Sequence, residues 1–230
     1  MPDSKIIERI RKLLELADES RGGTKAEREL AAQRAQELML KHNLDSAELS
    51  GQSAPGDVGE DGQRVEGSQA EWQVQLIAAV GEECFVTVYW IKRGRFAWDV
   101  VTVGRADNIA FVDTLCKHLI PWLKQEAKEA FKVAQRLEGD AIKPRSFRRA
   151  FYASAIREIA LRLRMLRRHT TGSTGEELVR NEDAANKLYL EVQGVNVRPS
   201  RYRNYGSDAG HAAGENAGRR ADLTPGRKLR

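Results

Sequence analysis

Apolar residues recur every three or four positions along much of this chain, and two short runs instead alternate with period two. That contrast divides the sequence into helices and a single hairpin. Ile6, Ile10, Leu13, Leu14 and Ala17 carry the first helical stripe, with Ser4 at the position of an N-cap. Arg21-Gly22-Gly23 interrupts it. Thr24 and Glu27 then form a capping box, and Ala31, Ala35, Leu38 and Met39 mark the apolar face of a second helix ending near His42. The pattern predicts a compact αα-hairpin over residues 4–43, followed by a short turn that Asp45 and Glu48 begin.

Residues 50–69 are rich in Gly, Ser, Pro, Asp and Glu and nearly lack large apolar side chains. Such a stretch gains too little by burial to offset its ordering entropy, so a flexible acidic linker is expected. Next, EWQVQLIAAVGEEC reads as a helix with Trp72, Leu76, Ile77 and Val80 on one face. CFVTVYWIK and FAWDVVTVG, joined around Arg93-Gly94-Arg95, read as a β-hairpin closed by Gly104. A helical pattern then runs over residues 106–137, where Pro121 predicts a kink or break.

Ser146 is the expected cap of a strong helix whose stripe is Phe147, Phe151, Ala155, Ile159, Leu163 and Leu166. After the polar break TTGSTG comes a weaker helix, 176–192, then an irregular basic stretch, 195–205, and a short Gly/Ala-rich helix. The expected fold is therefore α+β and mostly helical, an N-terminal αα-hairpin joined by a flexible linker to a helical domain with one β-hairpin. Its parts are a hairpin module (1–49), a linker (50–69), an α+β domain (70–193) and a basic segment ending in the Gly/Ala-rich helix (194–230).

Charge changes this picture because it is unevenly placed. Residues 141–230 hold 19 Lys/Arg against 9 Asp/Glu, a net of +10; the chain as a whole carries +5, so residues 1–140 carry −5. A polarised chain of this kind points to phosphate or to an acidic partner for its basic half. Within 24 residues lie Arg145, Arg148, Arg149, Arg157, Arg162, Arg164, Arg167 and Arg168. Arg145, Arg148, Arg149, Arg164, Arg167 and Arg168, with Arg219 and Arg220 as auxiliaries, are the expected phosphate contacts of a sequence-independent nucleic-acid surface. The alternative is that these arginines form a solvated helix flank.

Gly206, Gly210, Gly214 and Gly218 repeat every fourth residue. On a helix they make one smooth face at about 1 kcal/mol each relative to alanine. Close packing against another helix is the favoured explanation, and close approach to a phosphate the rival one. Tyr89, Trp90, Phe96 and Trp98 are either core residues or a base-stacking platform.

Other chemistry is thin. His42, His118, His169 and His211 are scattered and belong to no metal-ligand spacing. Asp99, Asp107 and Asp113 lack a second carboxylate cluster, and no catalytic motif is present, so no metal or cofactor is expected and an enzyme is the weaker reading. Cys84 and Cys116 sit in apolar surroundings without CxxC spacing, as expected of buried thiols in a reducing cytoplasm. No apolar run reaches the ~18–20 residues that cross a bilayer, and the opening amphipathic stretch resembles neither a secretory signal nor a transit peptide.

The first stretch also carries a resemblance. Lys5, Ile6, Leu13, Leu14, Thr24, Glu27, Ala31, Ala35, Leu38, Met39, Lys41, His42 and Leu44 follow a pattern similar to domain of unknown function 2786. Glu29-Leu30 stands where Glu-Ala is commoner. RSFRRAFYASAIREIALRL resembles the domain often found downstream of it, with Ala150 in place of a usual glycine, and GHAAGENAGRRADL is similar to the ends of such proteins. The resemblance implies a bacteriophage, prophage or mobile-element product in the cytoplasm of a bacterial host. It implies no activity and no catalytic residue. The expected function is thus a phage-type accessory protein binding DNA or RNA nonspecifically through its basic half. A protein-interaction adaptor, or an inhibitor of a host protein, is the alternative.

Overall fold

The computed structural model describes residues 58–171, 174–197 and 206–223, with isolated helical positions at 12, 13, 34 and 38. The expected N-terminal hairpin and its capping box, and His42 with them, lie outside the described residues. The architecture is α+β and mostly helical, built around one small antiparallel sheet. In chain order the elements are β1 (Val58–Glu66), α1 (Ala70–Glu83), β2 (Thr87–Lys92), β3 (Ala97–Arg105) and α2 (Ala106–Glu138). A 3-10 turn at Gly139–Ala141 leads to α3 (Pro144–Thr171), α4 (Thr174–Val192) and α5 (Asp208–Arg220).

The predicted hairpin is present as β2 and β3, and a third strand joins it. The sheet order is β1-β3-β2, so β3 is central. β1 occupies residues 58–66 of the stretch expected to be a flexible linker, a correction with a physical reason. Its register sets Val65 opposite Trp98 and Val58 opposite Arg105, and these two valines are its only buried residues. The polar residues between them pair through backbone at the sheet edge, where side chains remain in water, so composition gives no sign of the strand.

The register separates two faces. Val65, Trp98 and Val100 join Val86 and the partly buried Val88 and Trp90 in the main core, with α1, α2 and α3. Trp72, Leu76, Ile77 and Val80 of α1 are buried there as their spacing predicts. Phe147, Phe151, Ile159 and Leu163 of α3 are at most 2% exposed, and each buried side chain of this size stabilises the fold by roughly 1.5–3 kcal/mol. Trp72 stacks on Tyr152 with ring centroids 4.0 Å apart. The opposite sheet face is covered in part by α4, through a small second core of Val58, Val103, Ala185 and Leu190.

Three further local expectations change. α2 continues unbroken past Pro121; neighbouring Trp122 and Leu123 are buried in the core, and that burial offsets the lost backbone bond. α3 starts two residues before Ser146, with Pro144 at its first position, where a missing N–H costs nothing. Ser146 instead donates its hydroxyl to the Gly206 carbonyl at 2.6 Å. At Phe85 the chain turns from α1 into β2 with φ 59°, rare for a bulky residue. The ring is buried, and Asn186 Nδ2 donates to the Phe85 carbonyl at 3.1 Å.

Candidate nucleic-acid interface

α5 lies parallel to α3, and its glycines are the reason the two backbones can approach. A Cβ on Gly210 would stand 2.6 Å from the Phe147 carbonyl oxygen, one on Gly214 2.2 Å from that of Phe151, and one on Gly218 2.8 Å from that of Ala155. Helix packing therefore explains three of the four glycines. Gly206 precedes the helix, and a Cβ there would meet nothing within 4 Å. Ser207 caps α5, accepting from the Gly210 N–H. At the other end Arg162 donates to the carbonyls of Gly218 at 2.8 Å and Ala221 at 2.6 Å, satisfying acceptors that the helix leaves open. Between the ends, Ser154 Oγ and His211 Nδ1 are 2.7 Å apart. Ser154 is 4% exposed, so this pair joins the helices from inside their contact.

The parallel arrangement brings the N-termini of α3 and α5 side by side at Ser146 and Gly206. Arg145 and Arg148 are exposed here and Arg149 is half-buried. Lys143 is exposed just before them. The facing part of α2 is fixed by Phe131, whose ring meets Phe147 edge-on at 5.4 Å. The Arg148 guanidinium lies 5.9 Å from the centre of the Phe131 ring. Lys128 and Lys132 flank Phe131 on α2, and Arg136 occupies the last turn of that helix. Lys132 pairs with Glu129 at 2.9 Å. From residue 141 to 157 the chain holds five cations (Lys143, Arg145, Arg148, Arg149 and Arg157) and no acid. Cations at the start of a helix oppose its dipole, so this cluster is not one that helix stability selects.

The other arginines expected to share that surface are drawn elsewhere. Arg164 binds Glu83 through Nε at 2.9 Å and Nη2 at 2.6 Å. Arg167 reaches the second Glu83 oxygen at 3.1 Å and lies over the Phe85 ring. Glu83 is 3% exposed, so the pair of arginines clamps the end of α1 onto α3. The Glu83 hydrogen bond and charge raise the Arg164 pKa, against the lowering by burial. Arg219 pairs with Glu215 on its own helix and with Glu158 at 3.6 Å. Arg220 reaches Glu126 of α2 at 2.6 Å. Arg168 is exposed near the end of α3. The eight arginines thus fall into separate groups: Arg164 and Arg167 share Glu83, and Arg145, Arg148 and Arg149 share the start of α3.

The aromatic residues do not assemble into a platform. Trp98 and Trp90 face the main core, Tyr89 packs beside α4 on the opposite face, and Phe96 is exposed in the turn under Arg95. Two of the three aspartates bind different cations, Asp99 with Arg93 at 2.5 Å and Asp113 with Lys117 at 2.7 Å. Among the described residues no group of three or more His, Cys, Asp or Glu is arranged to hold a metal ion. Both cysteines are buried and free. Burial, aided by the Glu83 charge, pushes the Cys84 thiol up to about 12, and burial raises Cys116 as well, so neither is a nucleophile at neutral pH.

Besides the Glu83 pairings, sequence reasoning missed the buried ion pair of Arg105 with Glu182, at 3.1 and 3.3 Å. It ties α4 to the end of β3. The partners are far apart in the chain, and no local pattern joins them.

The comparison with known proteins reaches the first segment only. Residues 5–46 match the family described as protein of unknown function DUF2786. This agrees with the resemblance carried by Lys5, Ile6, Leu13 and the Leu38 to Leu44 signature. No curated protein matches the chain, and no solved structure does. No described helix is long and apolar enough to cross a membrane.

Proposed function

We propose that this protein binds nucleic acid without sequence preference, through a narrower surface than the arginine count offers. Lys143, Arg145 and Arg148 form its centre, Arg149 supports it, and Lys128 and Arg136 of α2 extend it. The observation that carries the reading is the acid-free run over residues 141–157, whose Lys143, Arg145 and Arg148 are exposed at a helix start where cations gain nothing locally. Arg164 and Arg167 are assigned to the fold, and Arg219 and Arg220 remain auxiliaries through their exposed ends. The phage character implied by the N-terminal resemblance fits an accessory role in the cytoplasm of a bacterial host.

Binding of this kind depends on salt. With about three phosphates neutralised, affinity for a random duplex falls about 40-fold between 50 and 200 mM salt. A mobility shift with random DNA and RNA at low salt tests the reading; unchanged migration of the folded protein contradicts it.

A protein-interaction adaptor, or an inhibitor of a host protein, is the second reading. Leu161 and Met165 are 47% and 63% exposed one turn apart on α3, with Arg157 and Arg168 beyond them on the same side. L161E/M165E separates the two: it leaves duplex binding intact under the first reading and abolishes a nuclease-resistant protein complex under the second.

A further inference from the structure

The second, smaller core is open along one side. Ala185, Leu188 and Val192 of α4 follow one another at helical spacing, so they share a side of that helix. Ala185 is buried against Val58 and Val103, whereas Leu188 and Val192 are 44% and 75% exposed. The apolar stripe therefore begins inside a packed cluster and runs out of it uncovered.

Val58 stands in that same cluster and is the first residue of β1. Residues 1–57 thus join the fold at this spot. We propose that the N-terminal segment matched by the family, residues 5–46, docks on the Leu188–Val192 side of α4 and completes the small core.

Reach, continuity and concentration support this occupant. The intervening residues 47–57 number 11 and span at most about 40 Å when extended. Leu188 lies one turn from Ala185, which packs in the Val58 cluster, so no long excursion is needed. A segment tethered this closely is present at an effective concentration on the order of millimolar. A second copy of the chain, or a free partner, must compete with it. The segment also brings apolar residues beyond its predicted stripe, including Leu16, Leu30 and Leu40.

A photo-crosslinking amino acid placed at position 192 of the full chain tests the contact. The proposal expects crosslinks from 192 into residues 5–46 at monomer mass. Crosslinks to a second chain, or none into 5–46, overturn it. Hydrogen exchange gives an independent reading. L188E in the full chain should speed exchange across 5–46 about tenfold and leave β3 and α3 amides unchanged, while L161E does neither. Exchange in 5–46 that is the same in wild type and L188E also overturns the proposal.

Discussion

Gly214 and Gly206 look alike in the four-residue repeat, but the structure places opposite demands on them. Replacing Gly214 forces a methyl to 2.2 Å from a backbone oxygen of α3, and backbone has no rotamer by which to yield. Helix propensity favours alanine there by about 1 kcal/mol, yet overpacking typically costs about 1–3 kcal/mol, occasionally more, and the contact is with backbone. G214A should lower stability by about 2 kcal/mol in urea unfolding, and G206A should leave it unchanged within about 0.5 kcal/mol. Glu83 is a second point of leverage. Its carboxylate is buried and meets two arginines, so E83Q leaves charges uncompensated and should cost about 3 kcal/mol. The buried thiols and Tyr152 set the alkaline limit. Their folded pKa values are raised, Cys84 to about 12 from 9.0 and Tyr152 to about 12 from 10.0. The unfolded chain therefore ionises first, and the contribution to stability is present below pH 9 and lost as pH rises toward 12. Thermal melting across pH 8–11 should show that decline, and C84A should weaken it.

Among the elements, those whose apolar residues face one buried side were legible in the sequence. α1 keeps its predicted stripe, α3 keeps its own as far as Leu163 and leaves Leu166 exposed, and β2 and β3 keep their alternation. β1 was hidden because its stabilisation comes from backbone pairing along an exposed edge, with two buried valines seven residues apart. A composition rule treats such a strand as linker. Peptides covering residues 60–66 should accordingly resist hydrogen exchange in concert with β3; free exchange there would contradict the strand. At Pro121 the break does not occur, and α2 runs on where Leu119, Trp122 and Leu123 are all buried. Three glycines of the repeat, Gly210, Gly214 and Gly218, form the expected packing face, whereas Gly206 precedes the helix and packs on nothing. Which helix that face meets was not readable: residues 210 and 147 are distant in sequence, and no residue of α5 names its partner.

Across the whole molecule, the sequence shows a basic half but not how its charge is spent. Glu82, Glu83 and Glu126 come from the acidic half and lie against Arg164, Arg167 and Arg220. Folding thus uses part of the cationic excess to join the two halves, and Lys143, Arg145 and Arg148 stand exposed at the α2–α3 corner. That corner was visible in the sequence as a gap between acids, from Asp140 to Glu158, a clearer signal than the number of arginines. In the proposed function this corner contacts phosphate and the Glu83 clamp does not. The most direct measurement is the slope of log affinity against log salt for a random DNA duplex, compared between wild type and R145E/R148E. A slope near −3 is expected for wild type, shallower by about two in the variant, with affinity reduced at least about tenfold at low salt. Equal slopes and affinities for the two folded proteins would contradict it.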